Sequence, residues 1–212
     1  MNAVDVTAAT NGVSLIVHAV NPPGYRNWAE LVMPMLDSSL GAAKASGARI
    51  LFPGTVYNFG PDAWPFLRED SPQHPKTRKG AIRVEMERRL KAAAAEGVRS
   101  LIVRAGDFFG PRGTSNLWFS AALVNPGKPP TSVRYPGRKG TGHQWAYLPD
   151  TAETMVRLIE NKDRLAAFEV FHMDGHWDPD GTAMARSAEP AASPTLGRPP
   201  FPGGRSYWPR PS

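Results

Sequence analysis

Residues 172–181 gather His172, Asp174, His176, Asp178 and Asp180, the residue types that ligate a cation or carry a proton. Their spacing fits neither the two histidines of a His-Glu-x-x-His helix nor a Ca²⁺ loop, whose sixth position needs glycine where Pro179 stands. The stretch therefore reads as a turn closing a strand, and no metal is expected. Gly137, Gly140 and Gly142 with Arg138 and Lys139 imitate a phosphate-binding loop. Pro136 opens the segment and no strand precedes it, so it reads as a substrate loop. Trp118, Trp145 and Tyr147 either wall a substrate pocket or pack a small subdomain. The chain has no cysteine, which excludes disulfides, thiolate metal sites and cysteine nucleophiles, and no Gly-x-Ser-x-Gly elbow for a serine hydrolase.

Four short apolar runs can hold such residues in place: Leu15-Ile16-Val17-His18-Ala19, Arg49-Ile50-Leu51-Phe52, Ser100-Leu101-Ile102-Val103-Arg104 and Phe168-Glu169-Val170-Phe171-His172. The first three are continuous rather than alternating, as strands covered on both faces are. Helical periodicity lies between them. Residues 25–46 carry Trp28, Leu31, Val32, Met35, Leu36 and Leu40 and stop at Gly47, with Pro34 as a point of kinking. Residues 79–96 place Ile82, Met86 and Leu90 on one stripe, and residues 150–160 open on Pro149-Asp150 as a capping signal. Strand alternating with helix predicts an α/β fold with a doubly wound parallel sheet. The Gly- and Pro-rich stretch 106–145 reads as an inserted substrate loop or subdomain within a domain spanning 1–186. Residues 187–212 read as a disordered or out-of-frame tail.

Four landmarks occur in one order. Asp5-Val6 followed by Val13-Ser14-Leu15-Ile16-Val17-His18-Ala19 resembles a strand landmark ending in His-x-Ala, and Ile50-Leu51-Phe52-Pro53-Gly54-Thr55-Val56-Tyr57 a strand ending in Val-Tyr. Arg104-Ala105-Gly106-Asp107-Phe108-Phe109-Gly110-Pro111 is similar to an Arg-Pro-x-Asn-x-Tyr-Gly-Pro turn, and Tyr147-Leu148-Pro149-Asp150-Thr151-Ala152 to a Val-x-Asp-x-Ala helix start. Together they resemble the later part of the extended short-chain dehydrogenase/reductases of the NAD(P)-dependent epimerase/dehydratase family. The resemblance implies an incomplete Rossmann-like sheet from strand four onward, with NAD or NADP over the carboxyl ends of its strands. Ala19, Val20, Asn21 and Pro22 would line the cofactor, Gly54 and Thr55 its nicotinamide ribose, and Ala105 and Gly106 the nicotinamide. Asp107, Trp145 and His176 would meet a small-molecule substrate, either a nucleotide sugar or another small carbonyl or hydroxyl compound.

Two departures bear on the chemistry. The family's Tyr-x-x-x-Lys pair, in which a lysine lowers the tyrosine pKa for proton transfer, falls on Lys79 and Arg83, and the strand-five serine falls on Pro53. Thr55 is the nearest hydroxyl and Tyr57 the nearest phenol. Tyr57 with Lys79 is one candidate catalytic pair; the alternative is a cationic Lys79/Arg83 pair that holds a phosphate or carboxylate. The resemblance also places the pyrophosphate grip on a first strand with Gly-x-x-Gly-x-x-Gly, for which the residues before Leu15 leave no room. Strands one to three are then absent, cofactor binding by this chain alone is expected to be weak or nil, and strand four is a bare edge open to homo-oligomer or edge-strand association. The alternative to an impaired oxidoreductase is a non-catalytic module that binds a dinucleotide or an anionic metabolite.

The net charge of +6 is spread along the chain without a basic cluster, so no nucleic-acid partner is expected. No apolar run approaches the roughly 20 residues of a membrane span, and residues 1–5 lack the pattern of a secretory signal, so the expected location is the cytoplasm, with no membrane partner.

Overall fold

A computed structural model of the protein describes residues 3–22, 26–111, 117, 137–138 and 140–188. Trp118 and most of 106–145, together with the tail from 189 onward, lie outside the described residues. The chain divides into two compact units, one formed by residues 1–105 and 152–173, the other by 106–151 and 174–212.

The first unit is built on a four-stranded parallel sheet. Its strands are β1 (Leu15–Val17), β2 (Arg49–Thr55), β3 (Ser100–Ala105) and β6 (Phe168–His172), in that spatial order. All six residues of β3 are buried, as the unbroken apolar run requires of a strand covered on both faces. One cover is made by helices α2 (Trp28–Ser46) and α3 (Arg78–Ala93): Val32, Leu36, Met86 and Leu90 pack with Ile16, Ile50, Phe52 and Ile102. The other comes from α4 (Leu148–Glu160), whose Met155, Leu158 and Ile159 meet Leu51, Leu101 and Val103. Successive residues of one strand thus serve opposite faces, and the sheet is doubly wound as the sequence predicts. Helix α2 ends where Gly47 takes φ 73°, a left-handed cap that glycine enters without steric cost.

Details of the fold differ from the sequence reading. Asp5 and Val6, read as part of a strand landmark, lie in a short helix α1 (Ala3–Ala9). The turn expected after His172 contains a strand, β7 (His176–Asp178). Its three residues carry too little periodicity to be seen, and only pairing with a distant strand creates it.

The position of Pro53 inside a sheet strand has a physical account. The β1 neighbour receives Arg49 N–H on Ser14 O at 3.0 Å and supplies His18 N–H to Leu51 O at 2.9 Å, while Ile50 N–H turns the other way, to Arg99 O. Residue 53 therefore faces β1, and there proline has no N–H to give. Pairing with β1 ends at Leu51, and the chain leaves the sheet after His18.

The second unit contains β4 (Asp107–Phe109), β5 (His143–Tyr147) and β7, with β4 parallel and β7 antiparallel to β5. A short helix α5 (Ala183–Ala188) follows. Asp178 and Asp180 serve this end of the chain: Asp178 Oδ2 accepts from Met184 N–H at 3.1 Å, and Asp180 Oδ1 from Thr182 N–H at 2.9 Å. Among the described residues no three His, Asp or Glu side chains gather as a metal site, and no helix is long and apolar enough to cross a membrane.

Candidate functional site

In a parallel sheet every strand ends at the same edge. In the first unit the residues that follow β1 and β2, and the ends of β3 and β6, therefore collect there. After β1, Ala19, Val20 and Asn21 are exposed, whereas Pro22 is buried. Asn21 Oδ1 accepts from Trp28 Nε1 at 3.0 Å, which ties this loop to the start of α2.

Beyond β2 the chain makes a single tight turn, Val56–Asn58, which carries Tyr57 outward at 41% exposure. Helix α3 begins beside it. Thr77 caps the helix by accepting from Gly80 N–H at 3.0 Å. Gly80 is required for the approach, because a Cβ there would lie 2.3 Å from Tyr57 O and 2.5 Å from Pro75 Cβ. The first turns of α3 thereby bring Lys79 and Arg83 to the aromatic residues. Lys79 Nζ stands 4.8 Å from the centre of the Tyr57 ring and 5.7 Å from that of Trp28. The Arg83 guanidinium lies 5.4 Å from the Trp28 ring and 5.7 Å from Phe52. A groove of about 360 Å³ opens here, lined by Trp28, Ala29, Arg78, Lys79 and Ile82. The structure thus gathers Tyr57, Lys79 and Arg83, three residues singled out in the sequence. It also adds Trp28, whose type gave no functional signal because it occupies an apolar stripe of α2.

Beneath this cluster lies His18, buried, stacked on Phe52 with ring centres 5.7 Å apart, and bonded through Nδ1 to Ser39 Oγ at 2.8 Å. Burial, reinforced by the nearby Arg83 charge, lowers its pKa to about 4. His18 is therefore neutral at neutral pH.

Thr55, half-buried at the end of β2, belongs to a closed hydrogen-bonded circuit. Its Oγ1 donates to Asn58 Oδ1 at 3.2 Å, and Asn58 Nδ2 donates to Gln73 Oε1 at 3.0 Å. Gln73 Nε2 then donates to Glu87 Oε2 at 3.1 Å. The same carboxylate oxygen receives Arg104 Nη2 at 2.7 Å, and Arg104 Nη1 returns to Thr55 O. Arg104 is 2% exposed; its Nε gives to His172 Nε2 at 3.0 Å, and its guanidinium sits 4.9 Å from the Phe59 ring. Because His172 Nε2 accepts, its ring proton resides on Nδ1, facing Leu67 O at 3.4 Å. Burial, followed by the Arg104 charge, lowers the His172 pKa. Neither Asn58 nor Gln73 carried any sequence signal, since a polar residue in an irregular loop looks the same whether buried or solvated.

Across β2 and β3, Gly54 lies opposite Arg104 and Thr55 opposite Ala105. A Cβ at Gly54 would stand 2.8 Å from Ile102 Cγ2, so neighbouring side chains already account for its small size.

In the second unit, Gly106 is demanded by β5: a Cβ there would lie 2.2 Å from Gln144 O. Asp107 pairs across the sheet with Trp145, and its Oδ2 lies 2.9 Å from His143 Nε2. The His143 ring is 4.4 Å from that of Trp145, which is buried. His176 meets Phe109 edge-on at 5.6 Å, and Phe109 in turn lies 5.2 Å from Tyr147. Asp107, Trp145 and His176 are thus neighbours on one small sheet, joined by His143, which the sequence reading passed over.

Comparison with known proteins adds three findings. The model of the NAD dependent epimerase/dehydratase family matches residues 6–173. No curated protein sequence matches. Among solved structures, the chain resembles DesIV, a dTDP-glucose 4,6-dehydratase from Streptomyces venezuelae with NAD bound, at TM-score 0.69 and 16% identity, covering 87% of this chain and 59% of that one. It also resembles MoeE5 in complex with UDP-glucose and NAD, at TM-score 0.68 and 17% identity over 86% of this chain and 64% of that one. The UDP-Glc/GlcNAc 4-epimerase of Campylobacter jejuni follows at TM-score 0.65 and 12% identity, covering 88% and 64%. The chain spans less than two thirds of the length of each of these three structures.

Proposed function

Because the chain belongs to the NAD dependent epimerase/dehydratase family, we propose that it is part of an NAD(P)-dependent oxidoreductase of the epimerase/dehydratase kind. Its substrate would be a nucleotide sugar or another small carbonyl or hydroxyl compound, and its activity is impaired in this polypeptide alone. The observation that carries the reading is the gathering of Tyr57, Lys79 and Arg83 where the turn after β2 meets the start of α3, with Thr55 at the end of that strand. Ala19, Val20 and Asn21 are exposed at the same sheet edge, which supports their lining the cofactor, with Gly54 and Thr55 beside its nicotinamide ribose. When bound, that cofactor would accept or return a hydride. Tyr57 would exchange the substrate hydroxyl proton, with the Lys79 ammonium over its ring, and Thr55 would fix the hydroxyl's position. Asp107, Trp145 and His176 would contribute to substrate contact.

A second reading, a non-catalytic module for a dinucleotide or an anionic metabolite, is favoured by one feature. Arg78, Lys79 and Arg83 crowd the start of α3, whose first turn has no acidic residue. Cations at a helix N-terminus oppose its dipole by a few tenths of a kcal/mol each, so an anion there would relieve them. The two readings separate on incubation of the full chain with NAD or NADP and UDP-glucose or dTDP-glucose, with absorbance of the reduced nicotinamide and product sugars followed together. Turnover lost in Tyr57→Phe supports the oxidoreductase. Silence with every substrate, together with calorimetric binding of the nucleotide weakened by Lys79→Ala, selects the binding module.

A further inference from the structure

The circuit around Thr55 has a direction. Glu87 is buried, and its Oε2, bonded to Arg104, is an acceptor. Gln73 must therefore present its NH2 to that oxygen, which leaves Gln73 Oε1 facing Asn58. Asn58 must answer with its own NH2, so its Oδ1 faces Thr55. The Thr55 hydroxyl has one proton, and it is used on Asn58. Turning either amide over would set oxygen against oxygen beside a carboxylate and leave buried donors unanswered, which is costly away from water.

We infer that the Glu87 charge, relayed through Gln73 and Asn58, fixes the Thr55 hydroxyl as a pure acceptor toward the outside, so that the ligand group it meets must be a donor such as a hydroxyl and not a carbonyl. Glu87, Gln73 and Asn58 are positioning residues acting through Thr55. The specificity they confer rests on the proposed role of Thr55 as a substrate contact, whereas the direction of the circuit does not. Glu87→Gln keeps the direction, because the oxygen that answers Gln73 also receives the Arg104 N–H, so the introduced amide must turn its oxygen and not its NH2 toward both. Gln73→Leu cuts the relay instead and leaves the Asn58 amide without its partner in Gln73.

The test uses the full chain labelled with ¹⁵N and ¹³C. In the wild type, the Asn58 side-chain NH2 should show nuclear Overhauser contacts to Gln73 and none to the Thr55 β-proton or methyl, with slowed exchange. In Glu87→Gln those contacts should persist. Gln73→Leu, which leaves Arg104 and Glu87 paired, should abolish the slowed exchange of the Asn58 amide. Asn58 NH2 contacts to Thr55 in the wild type overturn the inference, as does unchanged Asn58 exchange in Gln73→Leu. The functional arm is UDP-glucose binding by calorimetry, expected to weaken roughly tenfold in Thr55→Val, with Thr55→Ser restoring it. Absence of UDP-glucose binding to the wild type counts against the substrate reading alone, because the resonance contacts still decide the direction of the circuit.

Discussion

The two units treat their polar residues in opposite ways. In the first, Arg104 is 2% exposed and gives hydrogen bonds to a carboxylate, a backbone carbonyl and an imidazole, all within a parallel sheet covered on both faces. In the second, Asp107 and His143 keep side-chain exposures of 28% and 19%, and their 2.9 Å contact lies on three short strands whose residues are mostly half-buried. A polar group that has left water must be fully answered, and each answer immobilises a neighbour. A group still partly in water needs no such network. The first unit therefore presents a site whose geometry is held from below, and the second presents groups with room to adjust.

The largest test of that contrast is Arg104→Met. It leaves Glu87 buried with Oε1 already lacking a partner among the described residues, and Oε2 left with Gln73 alone. Breaking a buried pair from one side costs about 3–5 kcal/mol, which urea denaturation should register as a lower midpoint at unchanged slope. A loss under about 1 kcal/mol would mean that the circuit contributes little rigidity.

His18 supplies the next effect. Its folded pKa of about 4 lies below the ordinary 6.5, so the unfolded chain binds more protons between those values. The sign follows: stability from this group is complete above pH 6.5 and is lost as pH falls toward 4, by on the order of 3 kcal/mol. Arg83→Gln removes the smaller of the two causes, so the His18 imidazole resonance should titrate at a higher pH, yet still below 6.5 because burial remains. An unchanged midpoint would separate Arg83 from His18.

Gly80→Ala comes third. Alanine favours the helix by about 1 kcal/mol, but its Cβ would meet the Tyr57 carbonyl at 2.3 Å. Overpacking of this kind costs about 1–3 kcal/mol, so the net change should be destabilising. It should also push the start of α3 off the Tyr57 turn and weaken the stacking of Lys79, seen as altered Trp28 fluorescence. A stabilised variant would show that the contact yields easily.

The same contrast explains what could be read from the sequence. The first unit announced itself because a strand covered on both faces must be apolar throughout: Leu101-Ile102-Val103 and Ile50-Leu51-Phe52 were legible for that reason. Lys79 and Arg83 were legible by register on a helix. The circuit was not, because Asn58 and Gln73 acquire meaning only when two loops and a helix meet, which leaves no periodicity. Strands β4 and β7 were missed for a related reason. Each has three residues, and pairing with β5 creates them, so their local sequence prefers turns.

The smallest effect belongs to the second unit, and it tests the comparison from its weak side. Asp107→Asn keeps the size of the side chain and its place opposite Trp145 while removing the negative charge beside His143. A pair that retains solvent contributes about 0–1 kcal/mol, less at high salt. Thermal or urea unfolding of Asp107→Asn should therefore fall within about 1 kcal/mol of the wild type, and added salt should shrink the difference. A loss comparable to that of Arg104→Met would mean that Asp107 and His143 also form a locked network, and that the contrast between the two units lies in their strand lengths alone.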